Sequence, residues 1–183
     1  MITMISDVKE TLMKMFRIAM ALLLCCVAVA AAAESDAQAA FEKMKSLAGS
    51  WEGKSPDGKS ISTKYQLAAG GTSLMEESSE DHMVTMFYLA GGHLLLTHYC
   101  GTGNQPHMQA TISPDGRTLA FDFVDGVNIP NIDSGHMHRA VFTLTDADHY
   151  TEEWTWMQAG KSAVMRVEMH RKEQGTTVAS GTR

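Results

Sequence analysis

Positive charge is scarce in this chain, and what there is does not cluster. It has 15 Lys and Arg against 21 Asp and Glu, a net charge of −6. Nucleic acid, which is held by basic patches, is therefore excluded as a partner. Cysteine is scarcer still, with 3 in 183 residues. Cys25 and Cys26 fall in an N-terminal apolar stretch, so Cys100 stands alone in the body of the chain and has no internal disulfide partner. In an oxidising compartment it is either buried or reactive, and burial is the plainer reading. The longest apolar run, residues 18–33, falls short of the ~20 residues of a membrane-spanning helix. A phosphate loop, a dinucleotide fingerprint and a G-x-S-x-G elbow are all missing, which removes the common nucleotide-binding and esterase classes.

What is present begins with a targeting segment. Lys9, Lys14 and Arg17 form a basic flank, the apolar run follows, and Ala31-Ala32-Ala33 supplies small residues before Glu34. This is the layout of a secretory signal peptide over residues 1–33, with export to a periplasm or the exterior and no stable membrane span after its removal. Leu24 before Cys25 and Cys25 before Cys26 are not the small residues that lipid attachment requires. Translation starts at Met1, Met13 or Met15, since residues 1–12 add little to a signal. Residues 34–171 then form one domain, and the polar residues 172–183 read as a disordered tail. Composition (44% hydrophobic, 20% charged) fits one globular core, and most of the 14 methionines read as gap-fillers in it.

The domain opens with a short helix. Ser35 or Asp36 can cap it, Phe41, Met44, Leu47 and Ala48 fall at helical spacing, and Gly49 ends it. Beyond it the pattern alternates with period two in ten segments: 50–54, 60–67, 73–79, 83–89, 93–100, 107–112, 118–124, 139–145, 150–157 and 162–170. The connectors SPDGK, AAGGT, AGG, SPDGR, DADH and QAGK are hairpin signals too short for crossovers. Ten strands joined this way predict an all-β, antiparallel up-and-down barrel, whose closure removes exposed edges.

The segment LAGSWEGKSPDGK, after a short helix, resembles the Gly-x-Trp opening of calycins, the superfamily of lipocalins, fatty-acid-binding proteins and nitrobindin-like barrels. Gly49 and Trp51 are the matching residues, and the resemblance implies that Trp51 closes the base of the barrel. The segments Thr85 to Leu89, Leu96 to Cys100, Gly103 to Pro106 and Gly135 to His138 are similar to those of uncharacterised exported bacterial lipocalin-like proteins. The nitrobindin likeness implies a haem held by a histidine, and no motif in this sequence identifies such a ligand.

In an up-and-down barrel the connections alternate between two ends. GTGNQP and the long DGVNIPNIDSGHM share one end with SPDGK, EDH and QAGK. The other end carries only short turns. The longer-looped end, with His82, His98, His107, His136 and His138 near strand termini, is the expected mouth. Alternation puts Leu94, Leu96, His98 and Cys100 on one face of their strand, Leu119, Phe121 and Phe123 on one face of theirs, and Ala140 and Phe142 on the face of His138. With those faces inward, His98, Cys100 and His138 stand over a cavity with His136 above, and Phe121 and Phe123 form its apolar wall. The side of His107 depends on register.

Several chemistries suit these residues. His136-x-His138 with His98 gives three nitrogen donors for zinc or a similar divalent metal, with a position left for water. His98 and Cys100 sit side by side rather than converging, so a Cys–His nucleophile needs a partner such as His138. Asn104 and Gln105 either orient a polar ligand group or serve the turn. The adjacent pairs Glu76/Glu77 and Glu152/Glu153 point to opposite faces, so neither is a carboxylate dyad by itself. One carboxylate of each can face inward, where it needs a partner such as Arg166. Trp154 and Trp156 share a face with Tyr150, as core or as a ligand wall. Three readings follow: a carrier of a small, partly apolar molecule, a metal-dependent enzyme using the same mouth, or a barrel filled by its own side chains with a structural or partner-binding role.

Overall fold

Ten antiparallel strands close on themselves in sequence order, with β1 pairing both β2 and β10. The computed structural model describes residue 13 and residues 36–173; the expected signal segment (1–33) and all but two residues of the expected tail lie outside them. The strands are β1 (Gly49–Lys54), β2 (Ser60–Ala68), β3 (Ser73–Ser78), β4 (Val84–Ala90), β5 (His93–Tyr99), β6 (Gln105–Ile112), β7 (Thr118–Val127), β8 (His136–Leu144), β9 (His149–Gln158) and β10 (Lys161–Arg171). One helix, α1 (36–45), precedes them. The expected all-β up-and-down barrel with a leading helix is the observed one. No described helix is long and apolar enough to cross a membrane.

Period-two alternation fills the interior from every strand. Ile61 and Tyr65, Leu74, Phe87, Leu94 and Leu96, Met108, Leu119 and Phe121, Ala140 and Phe142, Tyr150 and Trp154, and Val167 and Met169 form one buried cluster. Phe87, Phe121 and Phe142 meet edge to face, with centroids 5.4–5.9 Å apart. Helix α1 adds Ala40, Phe41 and Met44 at helical spacing, and Leu47 follows just beyond it. Lys43 donates to the carbonyls of Asp115 and Gly116 in the β6–β7 turn, which sets the helix at the short-turned end.

Trp51 locks that end. It is fully buried, donates Nε1–H to the Leu47 carbonyl at 2.7 Å, and meets Tyr150 edge-on at 4.8 Å. The Arg171 guanidinium lies 4.2 Å from the indole and donates to the carbonyls of Ser46, Ala48 and Ala147. Two residues farther along β1, Gly53 leaves no room for a side chain, since a Cβ there would stand 2.6 Å from the Met169 sulfur and from the Glu168 carbonyl.

Two irregularities break the simple alternation. The β6–β7 register shifts between His107 and Met108, and the β8–β9 register shifts between Met137 and Arg139. Each leaves an extra residue in one strand, which turns the side chains beyond it. The same irregular stretches make β7 and β8 longer at the mouth than the regular pattern predicts.

Candidate functional site

The interior is not wholly apolar. Tyr65 on β2 lies directly opposite Glu76 on β3, Glu76 opposite Thr85 on β4, and Thr85 opposite His98 on β5. Four in-register strands thus carry one lateral row of polar side chains, all buried. The Tyr65 and Thr85 hydroxyls, cross-strand neighbours of Glu76, lie close enough to lower its carboxyl. Thr85 Oγ1 lies 3.0 Å from His98 Nδ1, and the Tyr65 and Tyr150 hydroxyls are 3.1 Å apart. Tyr150 in turn donates to Glu152 Oε2 at 3.4 Å. A row of polar groups therefore lines the inside of the wall from His98 to Glu152, with hydrogen bonds joining His98 to Thr85, Tyr65 to Tyr150 and Tyr150 to Glu152.

Burial sets the charges on this path. Loss of water pushes the Glu76 carboxyl up to about 7 against the pull of its two hydroxyl neighbours. Glu152 is raised well above the carboxylate range, first by burial and then by the charge of Glu76, with Glu80 adding to it. Burial lowers the His98 imidazole to about 4. At neutral pH His98 is therefore neutral and the two carboxyls hold at least one proton between them. In the tautomer that carries its proton on Nδ1, His98 donates to Thr85 and Nε2 is a bare acceptor.

That acceptor has nothing to accept from. His98 Nε2 and Glu76 Oε2 are buried without a hydrogen-bond partner, and both residues line one small cavity. Its open volume is about 20 Å³, room for a single water. Glu152 and Trp154 complete the inner wall, with the Trp154 ring 4.8 Å from that of His98. Met83, Met137 and Met165 from three strands or strand ends, with Ser78 and Glu80 of the β3–β4 connection, form the rim. The rim lies at the expected mouth. A larger open depression of about 1010 Å³ on the outer wall of β1 and β10 holds exposed, mutually paired charges such as His170 and Glu52 at 3.2 Å, and its lining has no buried unpartnered atom.

The expected site residues separate. His98 is the one histidine among the cavity's lining residues. His136 and His138 pair with each other instead, Nε2 to Nδ1 at 3.1 Å, against the ring of Phe123. His136 Nδ1 is also held, by the Ser134 carbonyl at 2.6 Å. The β8 irregularity is the cause: Met137, not His138, comes to the cavity. Among the described residues no group of three or more His, Cys, Asp or Glu side chains is arranged to hold a metal ion. Both His136 nitrogens are thus engaged, and His98 stands apart from His136 and His138.

The remaining candidates have local roles. Cys100 opens a turn closed by its backbone bonds with Gly103 and Asn104, and its sulfur accepts from Thr102 at 3.2 Å. Gln105 donates to the Gly103 carbonyl at 3.2 Å. Asn104 is buried and donates to the Gly135 carbonyl at 2.8 Å, tying the β5–β6 turn to the start of β8. His107 faces outward and pairs with Asp125 at 2.6 Å, and Phe121 is core. Arg166 lies outside against Glu153 at 3.9 Å, so it is not the interior partner of a carboxylate. Glu76 and Glu152, one from each adjacent pair, meet across the barrel, a pairing that reading along single strands does not reveal. Counting back from the short hairpins does place Tyr65, Glu76, Thr85 and His98 in one row, a signal for the row and not for Glu152.

Fold and site together define a closed ten-stranded antiparallel barrel, compatible with the calycin architecture, with a buried carboxylate–histidine network under a methionine-rimmed mouth. No protein-family model matches the chain, and no curated protein matches it.

Proposed function

We propose that this is an exported, calycin-like barrel that reversibly binds a small, partly apolar molecule at its mouth. The ligand's hydrogen-bond donor enters between His98 Nε2 and Glu76 Oε2, and its apolar part lies among Met83, Met137, Met165 and Trp154. One observation carries the reading: two buried polar atoms without partners line the same cavity. A buried polar atom left unpaired costs about 1–3 kcal/mol, so a guest that pairs both gains affinity from relieving them. The closed cavity admits only a water, but methionine side chains are unbranched and repack at low cost, which makes the rim able to open. Export rests on the basic, apolar and small-residue order of residues 1–33.

The test uses 1-hexanol as probe with the full chain. Hexanol is expected to raise the melting temperature and change the fluorescence of Trp154, and the fluorescence change should vanish in Trp154→Phe. His98→Leu should weaken binding by about tenfold, the worth of one well-made hydrogen bond. Absence of binding up to the solubility limit of hexanol would favour the barrel filled by its own side chains.

A further inference from the structure

We infer that the head group this mouth takes is a primary ammonium, so that the ligands are small alkylamines. The inference rests on the binding reading above and narrows its ligand class.

Two unpartnered atoms face the cavity. With its proton on Nδ1 toward Thr85, His98 Nε2 presents a lone pair, and Glu76 Oε2 presents a carboxylate oxygen once its proton leaves. Glu152 adds a second carboxyl to the lining and Glu80 a third at the rim. No lysine or arginine lines the cavity, and Arg166, on the neighbouring strand, is spent outside on Glu153. Buried carboxylates are ordinarily paired with a cation; here two buried carboxyls share the cavity with no cation in its lining and hold at least one proton between them. An ammonium group is about the size of the water the cavity admits, brings three donors and no acceptor, and so answers each free valence. Its alkyl chain meets the rim methionines and the face of Trp154, a ring that also attracts a cation. The chain's net charge of −6 favours cation approach.

Binding then exchanges charge for protons. The titratable groups facing the guest are Glu76 and Tyr65 from β3 and β2, His98 from β5, Tyr150 and Glu152 from β9, and Glu80 at the rim; Thr85 links Glu76 to His98. When the ammonium arrives, the carboxyl proton of Glu76 passes to solvent and the carboxylate remains against the cation. Because Glu76 titrates at about 7, affinity should rise about tenfold between pH 6 and pH 8, where n-hexylamine stays protonated.

Isothermal titration of the full chain with n-hexylamine and 1-hexanol, at pH 6 and pH 8, tests this. Expected are at least tenfold tighter binding of hexylamine than hexanol at pH 8, most of that preference lost at pH 6, and proton release at pH 7 with the amine alone, read from two buffers of different ionisation heat. In Glu76→Gln the amine-to-alcohol ratio should fall to near one; a retained ratio overturns the assignment. Equal affinity of both probes in the wild-type chain overturns the ammonium inference and leaves the donor pocket standing. Failure of both probes to bind overturns both.

Discussion

Glu76→Gln is expected to make the barrel more stable at pH 8 by ~2–3 kcal/mol and to leave it nearly unchanged at pH 4.5. The folded carboxyl titrates at about 7 against a reference of 4.5, because burial penalises its charged form. The sign follows from proton binding. Between pH 4.5 and 7 the folded state holds a proton that the unfolded chain has released, so stability falls as pH rises through that window and stays lowered above it. A displacement of this size corresponds to about 3 kcal/mol. Glutamine keeps the shape beside Tyr65 and Thr85, yet never ionises. It also removes the charge that helps raise Glu152. His98 works in the opposite sense. Its folded value of about 4 lies below the ordinary 6.5, so its contribution is lost as pH falls through 6.5 toward 4. Glu152, which burial also raises, adds to the Glu76 slope, so in the wild-type chain the two carboxyls oppose the histidine between pH 4.5 and 6.5. In Glu76→Gln the histidine is opposed by Glu152 alone, and the fall in stability between pH 4.5 and 8 should be smaller than in the wild type by ~2–3 kcal/mol. Urea unfolding at pH 4.5, 6, 7 and 8 reads the difference; a gap between variant and wild type that does not change with pH contradicts it.

Trp51→Ala should cost ~3–5 kcal/mol, the range for truncating a large buried aromatic. The indole is wholly buried, touches Tyr150, supports Arg171 and satisfies the Leu47 carbonyl. Its loss opens a cavity at the closed end and frees the Arg171 clamp on three carbonyls. Domains of this kind have roughly 5–15 kcal/mol in total, so the variant retains little margin. A fall in melting temperature of about 10–15 °C is expected at this chain length. A fall of only a few degrees would mean that Trp51 does not close the base.

Much of the fold is legible because the connectors are short. SPDGK, AGG and DADH leave no space for crossovers, so strand order follows chain order and closure follows from the number of strands. Leu94, Leu96 and His98 on β5 and Ala140 and Phe142 on β8 point inward as alternation requires. Alternation fails where the register slips. One extra residue near His138 brings Met137 to the cavity and leaves His138 with His136 and Phe123, which is why the three histidines do not converge. Sequence does not mark such a slip, because neither glycine nor proline sits at that point in β8. The carboxylates were hidden for a different reason. Glu76 and Glu152 are 76 positions apart, and only the curvature of the closed sheet brings them together.

Whether the polar row inside the wall exists as a closed, water-poor network is measured most directly by NMR titration of the full chain, following the side-chain carboxyl carbon of Glu76 and the ring of His98. The network predicts a Glu76 midpoint near 7 and a His98 midpoint near 4. Midpoints near the ordinary 4.5 and 6.5 would mean that solvent reaches both groups freely, and would contradict the buried pair of unpartnered atoms on which the binding site rests.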